Sequence, residues 1–173
     1  MLFRSCDMRD KNGVGVTVIS HDSEERTLVI GTENPGTFRR KINYNGYSKQ
    51  QLVSLIDAST NCEQFIKYEC LASVLLYGDN DDYGWWVSRD GVQMNYWGGA
   101  PPGSRKCACG VSKSCSSSNL PCNCDTNDNV WREDSGILTD KSTLPVSELR
   151  FGDTGGSGEK GYYTLGKLKC YNA

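Results

Sequence analysis

Two short segments near the start of the chain show the alternation that is typical of β-strands. Val14, Val16 and Val18 alternate with small or polar neighbours, and residues 27–30 form a second β-rich run. A polar stretch over residues 21–26 separates them. Because two such runs around a short polar connection favour antiparallel pairing, the pattern predicts a β-hairpin.

A helix is predicted to begin directly after Ser48. This serine can cap the first turn, and Leu52, Leu55 and Ile56 recur at helical spacing before the polar residues 59–61 end the pattern. The spacing places the apolar side chains on one side, so the sequence predicts one amphipathic helix packed on a sheet.

The period changes to two over residues 62–70. Every second residue from Cys62 to Cys70 falls on one face, and the charged residues Glu63, Lys67 and Glu69 fall on the other. A strand of this length separates the two cysteines by about 26 Å, at ~3.3 Å per residue, whereas a disulfide allows only ~6 Å. These two cysteines therefore cannot pair with each other.

Further strands are predicted around Trp85 and over residues 146–151 and 162–171, with a glycine-rich turn at residues 155–158. No repeat and no linker divides the chain, which favours a single unit over residues 1–173. The predicted class is α+β: a twisted, largely antiparallel sheet, one main helix, and long loops held by disulfides.

The cysteine content explains how such a chain can stay folded. Leu, Ile, Val and Phe make up only 34 of 173 residues, about 20%, which is the composition limit for disorder. The chain nevertheless has nine cysteines, and disulfides stabilise a domain by ~2–4 kcal/mol each in an oxidising compartment. We therefore expect bridges among eight of them: Cys62, Cys70, Cys107, Cys109, Cys115, Cys122, Cys124 and Cys170.

Zinc binding is the main alternative for the cysteine cluster. Cys107, Cys109, Cys122 and Cys124 could place four thiolates around one ion. Their spacing is Cys-x-Cys, however, rather than the Cys-x2-Cys that wraps a tetrahedral site most easily. Disulfides are the favoured interpretation, and they predict a secreted or cell-surface protein.

Several other classes are excluded by charge and hydropathy. The net charge is −2 and no run of Lys or Arg occurs, so the footprint of a nucleic-acid-binding protein is missing. No apolar stretch approaches the ~20 residues of a transmembrane helix. The first residues also lack the apolar core of a secretory signal. An extracellular chain without that signal is expected to be N-terminally truncated.

Enzymatic chemistry is poorly supported by the residues. His21 is the only histidine, and it lies in a polar segment beside Asp22 and Ser23, which favours a solvated loop residue over a catalytic base. No Ser-His-Asp set and no phosphate-binding loop is suggested. We therefore expect no catalytic residues and no enzyme activity.

Three aromatic residues are candidates for binding a partner. Trp86 follows Trp85 in a predicted strand, so one of the two rings must point away from the core, and Tyr96 and Trp97 precede a Gly-Gly turn. The alternative, aromatic rings that cover a small core from its edge, is favoured over a binding hot spot.

Calcium is the metal that the carboxylate residues suggest. Asp125, Asn127 and Asp128 offer oxygen ligands on one loop, as does the acidic run of residues 79–82. Neither segment has the glycine and terminal glutamate of an EF-hand, so a solvated turn is the favoured interpretation. We expect no cofactor, with calcium as a possible exception.

The motifs resemble a known family. The segment Phe3-Arg-Ser-Cys6-Asp-Met8 is similar to the Phe-x-Val-Tyr-Cys-Asp-Met segment of fibrinogen-type C-terminal domains. Most of the remaining chain resembles the divergent fibrinogen-like domain of contactin-associated proteins, which are neurexin-related cell-adhesion molecules. The matching segments are Cys62-Glu-Gln-Phe-Ile-Lys-Tyr-Glu-Cys70, Trp85-Trp86-Val, Tyr96-Trp-Gly-Gly, Cys107-Ala-Cys109-Gly, Cys115, Cys122-Asn-Cys124-Asp, Leu144-Pro-Val, Gly152-Asp-Thr and Leu168-Lys-Cys170-Tyr.

This resemblance implies a non-catalytic, extracellular, disulfide-bonded domain that engages protein or glycan partners in adhesion. The upstream partner that the family provides for a cysteine in the position of Cys6 is missing, so Cys6 is expected to be unpaired here. The calcium loop of ordinary fibrinogen domains has no counterpart. By analogy with fibrillar-collagen propeptides, a related fold, Cys70 is predicted to pair with Cys170; the other six cysteines allow fifteen pairings.

A second function remains open. The chain can be a piece of a membrane receptor or a secreted structural component of an extracellular matrix, including the organic matrix of a mineralised skeleton. The acidic pI near 5.4 is compatible with the matrix alternative without requiring it.

Overall fold

The structure is a computed structural model that describes residues 4–76 and 82–173. The described residues form two antiparallel sheets around a shared apolar core, with one main helix. This arrangement agrees with the predicted α+β class. Phe3, the first residue of the fibrinogen-type motif, lies outside the described residues.

The longest strand is β5, over Asn61–Leu71, and it organises the larger sheet. Burial alternates without interruption along β5, with Cys62, Gln64, Ile66, Tyr68 and Cys70 facing the core. The predicted two-residue period is therefore confirmed. The other strands of this sheet, in chain order, are β1 (Arg4–Lys11), β2 (Val14–Ile19), β3 (Thr27–Val29), β8 (Arg132–Leu138), β10 (Lys160–Leu165) and β11 (Leu168–Tyr171).

The strand order in this sheet is β1-β2-β11-β5-β10-β3, and β8 pairs with β5 from outside that path. The last two strands follow one another along β5: Leu165 of β10 lies opposite Ile66, and Lys169 of β11 lies opposite Glu63. Four strands therefore lie side by side in the order β3-β10-β5-β8.

The smaller sheet packs across the core from the larger one. Its strands are ordered β4 (Phe38–Lys41), β9 (Glu148–Phe151), β6 (Trp85–Val87) and β7 (Gln93–Met94). Phe151 of β9 stacks on Tyr68 of β5, with ring centroids 4.5 Å apart. Large aromatic rings thus supply core area that the few aliphatic residues do not.

The main helix is α1, over Lys49–Asp57. Ser48 Oγ accepts a hydrogen bond from the Gln51 backbone N–H, and the Ser48 N–H donates to Gln51 Oε1, which completes a capping box. Leu52 and Ile56 are buried, so the predicted helix, its cap and its buried face are confirmed.

The predicted hairpin between the first two β segments is wrong. Both segments are strands, but β2 pairs with β1 and β11, whereas β3 pairs with β10. Local alternation identified the strands and could not identify all their partners, because β11 and β10, which pair with β2 and β3, lie more than a hundred residues further along the chain.

One close backbone approach fixes β8 against the loop that follows β7. A Cβ on Gly136 would lie 2.2 Å from the Gly98 carbonyl oxygen, and a Cβ on Gly98 would lie 2.3 Å from that of Gly136. Only glycine fits at both positions. The Gly99 N–H also donates to the Ile137 carbonyl, so this loop covers the edge of β8.

Candidate binding surface

Four disulfides join the eight cysteines that were predicted to form bridges. The pairs are Cys62–Cys170, Cys70–Cys124, Cys107–Cys122 and Cys109–Cys115. All nine cysteines are among the described residues, and Cys6 is the one left free and exposed. The zinc arrangement is therefore not present, because its four proposed ligands are used in bridges.

The predicted pair Cys70–Cys170 is wrong. Cys170 of β11 lies directly opposite Cys62 at the start of β5, with Cα atoms 4.1 Å apart. Cys70 is at the other end of β5, a strand length away, where it bonds to Cys124. The analogy with collagen propeptides correctly placed Cys170 in a bridge to β5, but it chose Cys70 at one end of that strand instead of Cys62 at the other.

The loop of residues 98–128, called here the cysteine-rich loop, contains the short α2 (Ala108–Ser112) and a 3-10 helix over Cys124–Thr126. Two buried carboxylates hold it in place. Asp134 of β8 accepts hydrogen bonds from the backbone N–H groups of Asn123 and Cys124, and Asp125 accepts two from Leu75 and Leu76. Burial raises the pKa of Asp134 to about 6. The loop is thus fixed by bridges and buried hydrogen bonds.

The three aromatic candidates do not present their rings to a partner. Trp86 and Trp97 are completely buried and Tyr96 nearly so. The indole N–H of Trp86 donates to the Tyr96 carbonyl, and that of Trp97 donates to the Asp134 carbonyl. Their role as binding residues is therefore corrected: they form the core, and Trp85 is the half-buried member of the Trp-Trp pair.

The side chains of the three calcium candidates point to different surroundings. The Asp125 carboxylate is buried against the backbone of residues 75–76, whereas Asp128 forms two hydrogen bonds with Arg132 at 2.6 and 2.8 Å, and Asn127 is exposed. The three do not converge on one point among the described residues. Residues 79–81 of the other acidic run lie outside the described residues, and calcium binding stays a prediction.

His21 is buried, not a solvated loop residue. Its Nδ1 accepts a hydrogen bond from the Ser23 backbone N–H, and its Nε2–H donates to the Gly166 carbonyl at 2.8 Å. Burial lowers its pKa, which favours the neutral ring. Both nitrogens therefore hold the fold, and neither is free to act as a base.

The outward face of β3-β10-β5-β8 carries an aromatic and charged cluster. We call it the Trp131 face and define it by Arg26, Glu69, Trp131, Glu133 and Tyr162. Tyr162 lies opposite Glu69 in the β10–β5 pair, and Glu69 lies opposite Glu133 in the β5–β8 pair. The Trp131 and Tyr162 ring centroids are 5.8 Å apart, and Trp131 is 47% exposed.

Charges on this face are compensated by close ion pairs. The Arg26 guanidinium stacks 3.5 Å above the Tyr162 ring and forms hydrogen bonds of 2.7 and 3.2 Å with Glu69. The Arg26 pair lowers the pKa of Glu69. Lys67 lies 3.0 Å from Glu133, and the Lys160 ammonium lies 5.9 Å from the Trp131 ring centroid. Donors and acceptors are therefore fixed next to an exposed indole.

The sequence interpretation missed this face. Its signal was the period of two that begins at Trp131, because Trp131, Glu133, Ser135 and Ile137 alternate with the buried Asp134 and Leu138. An aromatic residue that shares a period with charged residues indicates an outward ring. The Trp-Trp pair and the Gly-Gly turn were more conspicuous but belong to the core.

The fold and its bridges define a disulfide-stabilised α+β domain, and within the described residues no helix has the length and apolar character to cross a membrane. No family model matches the chain. The chain is 39% identical over 166 residues to Neurexin-4 of Drosophila melanogaster, a match that covers 92% of this chain and 13% of that protein. It is 38% identical over 167 residues to Contactin-associated protein 1 of Homo sapiens and of Rattus norvegicus, which covers 96% of this chain and 12% of theirs.

These matches support a domain related to neurexin-4 and contactin-associated protein 1. They agree with the family resemblance at that level and do not name a fibrinogen-like fold. The chain corresponds to only 13% or 12% of the length of those proteins.

Proposed function

We propose that the chain is a non-catalytic binding module of an extracellular adhesion protein and that it engages protein or glycan partners. The observation that carries this proposal is the 38–39% identity over more than 90% of the chain to Neurexin-4 and Contactin-associated protein 1. Four disulfides in a chain of low aliphatic content support an oxidising, extracellular location. The fibrinogen-like assignment of the single domain remains part of this proposal.

The name of Contactin-associated protein 1 states an association with contactin, which makes a contactin the first partner to test. A structural role in a matrix, including a skeletal organic matrix, is the second candidate from the sequence. It has only the acidic pI in its favour. An apolar segment of ~20 residues elsewhere in the full protein would favour the receptor.

The proposal is tested with the oxidised 173-residue chain displayed on beads. We expect the beads to bind cells that display a contactin, and not matched cells that lack it. A reduced and alkylated chain is the control, because it has the same composition without the fixed loops. Equal binding to both cell types would contradict contactin as the partner, and equal binding by the reduced chain would contradict the proposal that the folded domain is a binding module.

A further inference from the structure

The Trp131 face contains a depression of about 340 Å³, which is near the lower end of the ~300–1,000 Å³ that small-molecule sites occupy. Its lining consists of Arg26, Glu69, Trp131, Arg132 and Glu133. We propose that this depression binds a neutral pyranose unit of a glycan. The inference rests on the proposed function, because it selects glycans from the two partner classes and assigns them to one site.

The first argument is the combination of one exposed indole with four charged side chains. A pyranose ring has an apolar C–H face and a rim of hydroxyl groups that both donate and accept hydrogen bonds. Trp131 offers a large flat apolar surface for the ring. Glu69 and Glu133 can accept from hydroxyls, and Arg26 and Arg132 can donate to them in fixed forks.

The second argument is that these polar groups are already oriented. Arg26 forms a hydrogen bond with Glu69 and stacks on the Tyr162 ring. Arg132 forms two hydrogen bonds with Asp128. Glu133 forms an ion pair with Lys67. Side chains that are fixed before binding lose less conformational entropy when a ligand arrives. Glu133 remains more than half exposed, so its carboxylate is open to a ligand.

The third argument concerns the charge of the ligand. The lining contributes two arginines and two glutamates, so its formal charges cancel. A peptide with a net positive or negative charge would therefore find no net opposite charge in the lining. A neutral polyhydroxylated ring, in contrast, can form hydrogen bonds with both the arginine donors and the glutamate acceptors. Lys160 is the nearby cation without a close carboxylate among the described ion pairs, and it lies over Trp131 outside the lining.

The test uses the indole N–H signals in two-dimensional NMR of the oxidised, nitrogen-15-labelled chain, with that of Trp131 assigned by its loss in Trp131→Phe. The probes are the neutral methyl pyranosides of galactose, glucose, mannose and N-acetylglucosamine, with methyl glucuronide as the anionic comparison. We expect a saturable, millimolar shift of the Trp131 signal with at least one neutral glycoside. The signals of buried Trp86 and Trp97 should not move.

The key variant is Trp131→Ala, which should weaken binding of that glycoside about tenfold or more, as for removal of a central anchor. Because this variant lacks the Trp131 indole, its affinity is measured from the backbone amide signals of Glu69 and Glu133, which line the same depression. Ile137→Ala is the matched control, because Ile137 is exposed on β8 six residues away and outside the depression. It should leave the affinity unchanged, as should Lys160→Gln. If Trp131→Ala does not fold, Trp131→Phe serves instead and should cause a smaller loss.

Three results would overturn the inference. One is that no neutral glycoside shifts the Trp131 signal. Another is that Ile137→Ala weakens binding as much as Trp131→Ala, which indicates a broad protein-docking face. The third is that only the glucuronide binds and Lys160→Gln abolishes it, which indicates an anion site. If the beads bind contactin cells but no glycoside binds, the glycan inference fails and the proposed function stands.

Discussion

Asp125 both holds the cysteine-rich loop in place and makes the stability of the fold depend on pH. Its Oδ1 accepts two backbone hydrogen bonds, while its buried Oδ2 has no hydrogen-bond partner among the described residues. Burial, together with a smaller contribution from the negative charge of Asp134, raises the pKa of Asp125 to about 7. Between about pH 3.8 and pH 7 the folded state therefore holds a proton that the unfolded chain has released.

The substitution Asp125→Asn should stabilise the fold relative to the wild type by on the order of 2 kcal/mol more at pH 8.5 than at pH 5.5, because the folded wild type loses the Asp125 proton between these two pH values. Asparagine keeps the acceptor for Leu75 and Leu76 but carries no charge that burial penalises. In the wild-type chain, the contribution of Asp125 is complete below about pH 3.8 and is lost as the pH rises through about 7.

Urea unfolding of both chains at the two pH values measures this effect. His21 and Asp153 also have shifted pKa values, but both chains contain these residues, so the difference between the two chains reports the Asp125 carboxylate together with its repulsion from Asp134. Equal stability of both chains at both pH values would show that burial of the Asp125 charge costs nothing.

Addition of calcium to the same samples tests the calcium prediction, since a bound ion would stabilise only the wild type.

Gly136 is a residue whose size is fixed by a neighbouring backbone. Gly136→Ala should destabilise the fold by about 3 kcal/mol or prevent folding, because its Cβ would lie 2.2 Å from the Gly98 carbonyl oxygen and backbone atoms cannot rotate away. Ser135→Ala, on the adjacent position of β8, is the matched control and should be nearly neutral. Thermal unfolding of the two variants checks this, and a Tm for Gly136→Ala equal to that of the control would refute it.

At the scale of elements, β5 connects the large sheet to the rest of the molecule through its two ends. Cys62 binds the last strand, and Cys70 binds the 3-10 helix of the cysteine-rich loop. The bridges within that loop close much shorter segments. The bridges should therefore contribute unequally to stability.

Removal of Cys70–Cys124 should cost about 2 kcal/mol more than removal of Cys109–Cys115, because the two bridges close segments of 54 and 6 residues and loop-closure entropy grows with length. The paired variants Cys70→Ala with Cys124→Ala and Cys109→Ala with Cys115→Ala serve as each other's controls. Denaturant unfolding gives both free energies. An equal or larger cost for the short bridge would contradict the entropic account.

At the scale of the whole molecule, covalent bonds and large aromatic rings compensate for a small aliphatic core. The core contains Trp86, Trp97, Tyr68, Tyr163 and Phe151, together with six of the eight bonded cysteines: Cys62, Cys70, Cys107, Cys122, Cys124 and Cys170. Removal of the bridges should therefore affect the entire cysteine-rich loop at once.

Reduction should make residues 98–128 sensitive to proteases, whereas chelation with EDTA should leave the digestion pattern unchanged. The physical reason is that three disulfides order this loop, and its cysteines leave no free thiolate for zinc. Limited proteolysis followed by mass spectrometry maps the cuts, and the unreduced digest should contain the Cys62–Cys170 and Cys70–Cys124 peptide pairs. Unchanged resistance after reduction, or cuts induced by EDTA alone, would disprove this account.

The sequence alone determined the features that depend on neighbouring residues: the capped helix after Ser48, the alternation of β5, and an oxidised cysteine set that leaves Cys6 free. Only the tertiary structure decided that Cys170 bonds Cys62, that Trp86 and Trp97 are buried, and that Trp131 is exposed. The reason is that helix and strand periods are local. Strand register and the choice of covered face are set by segments far apart in the chain.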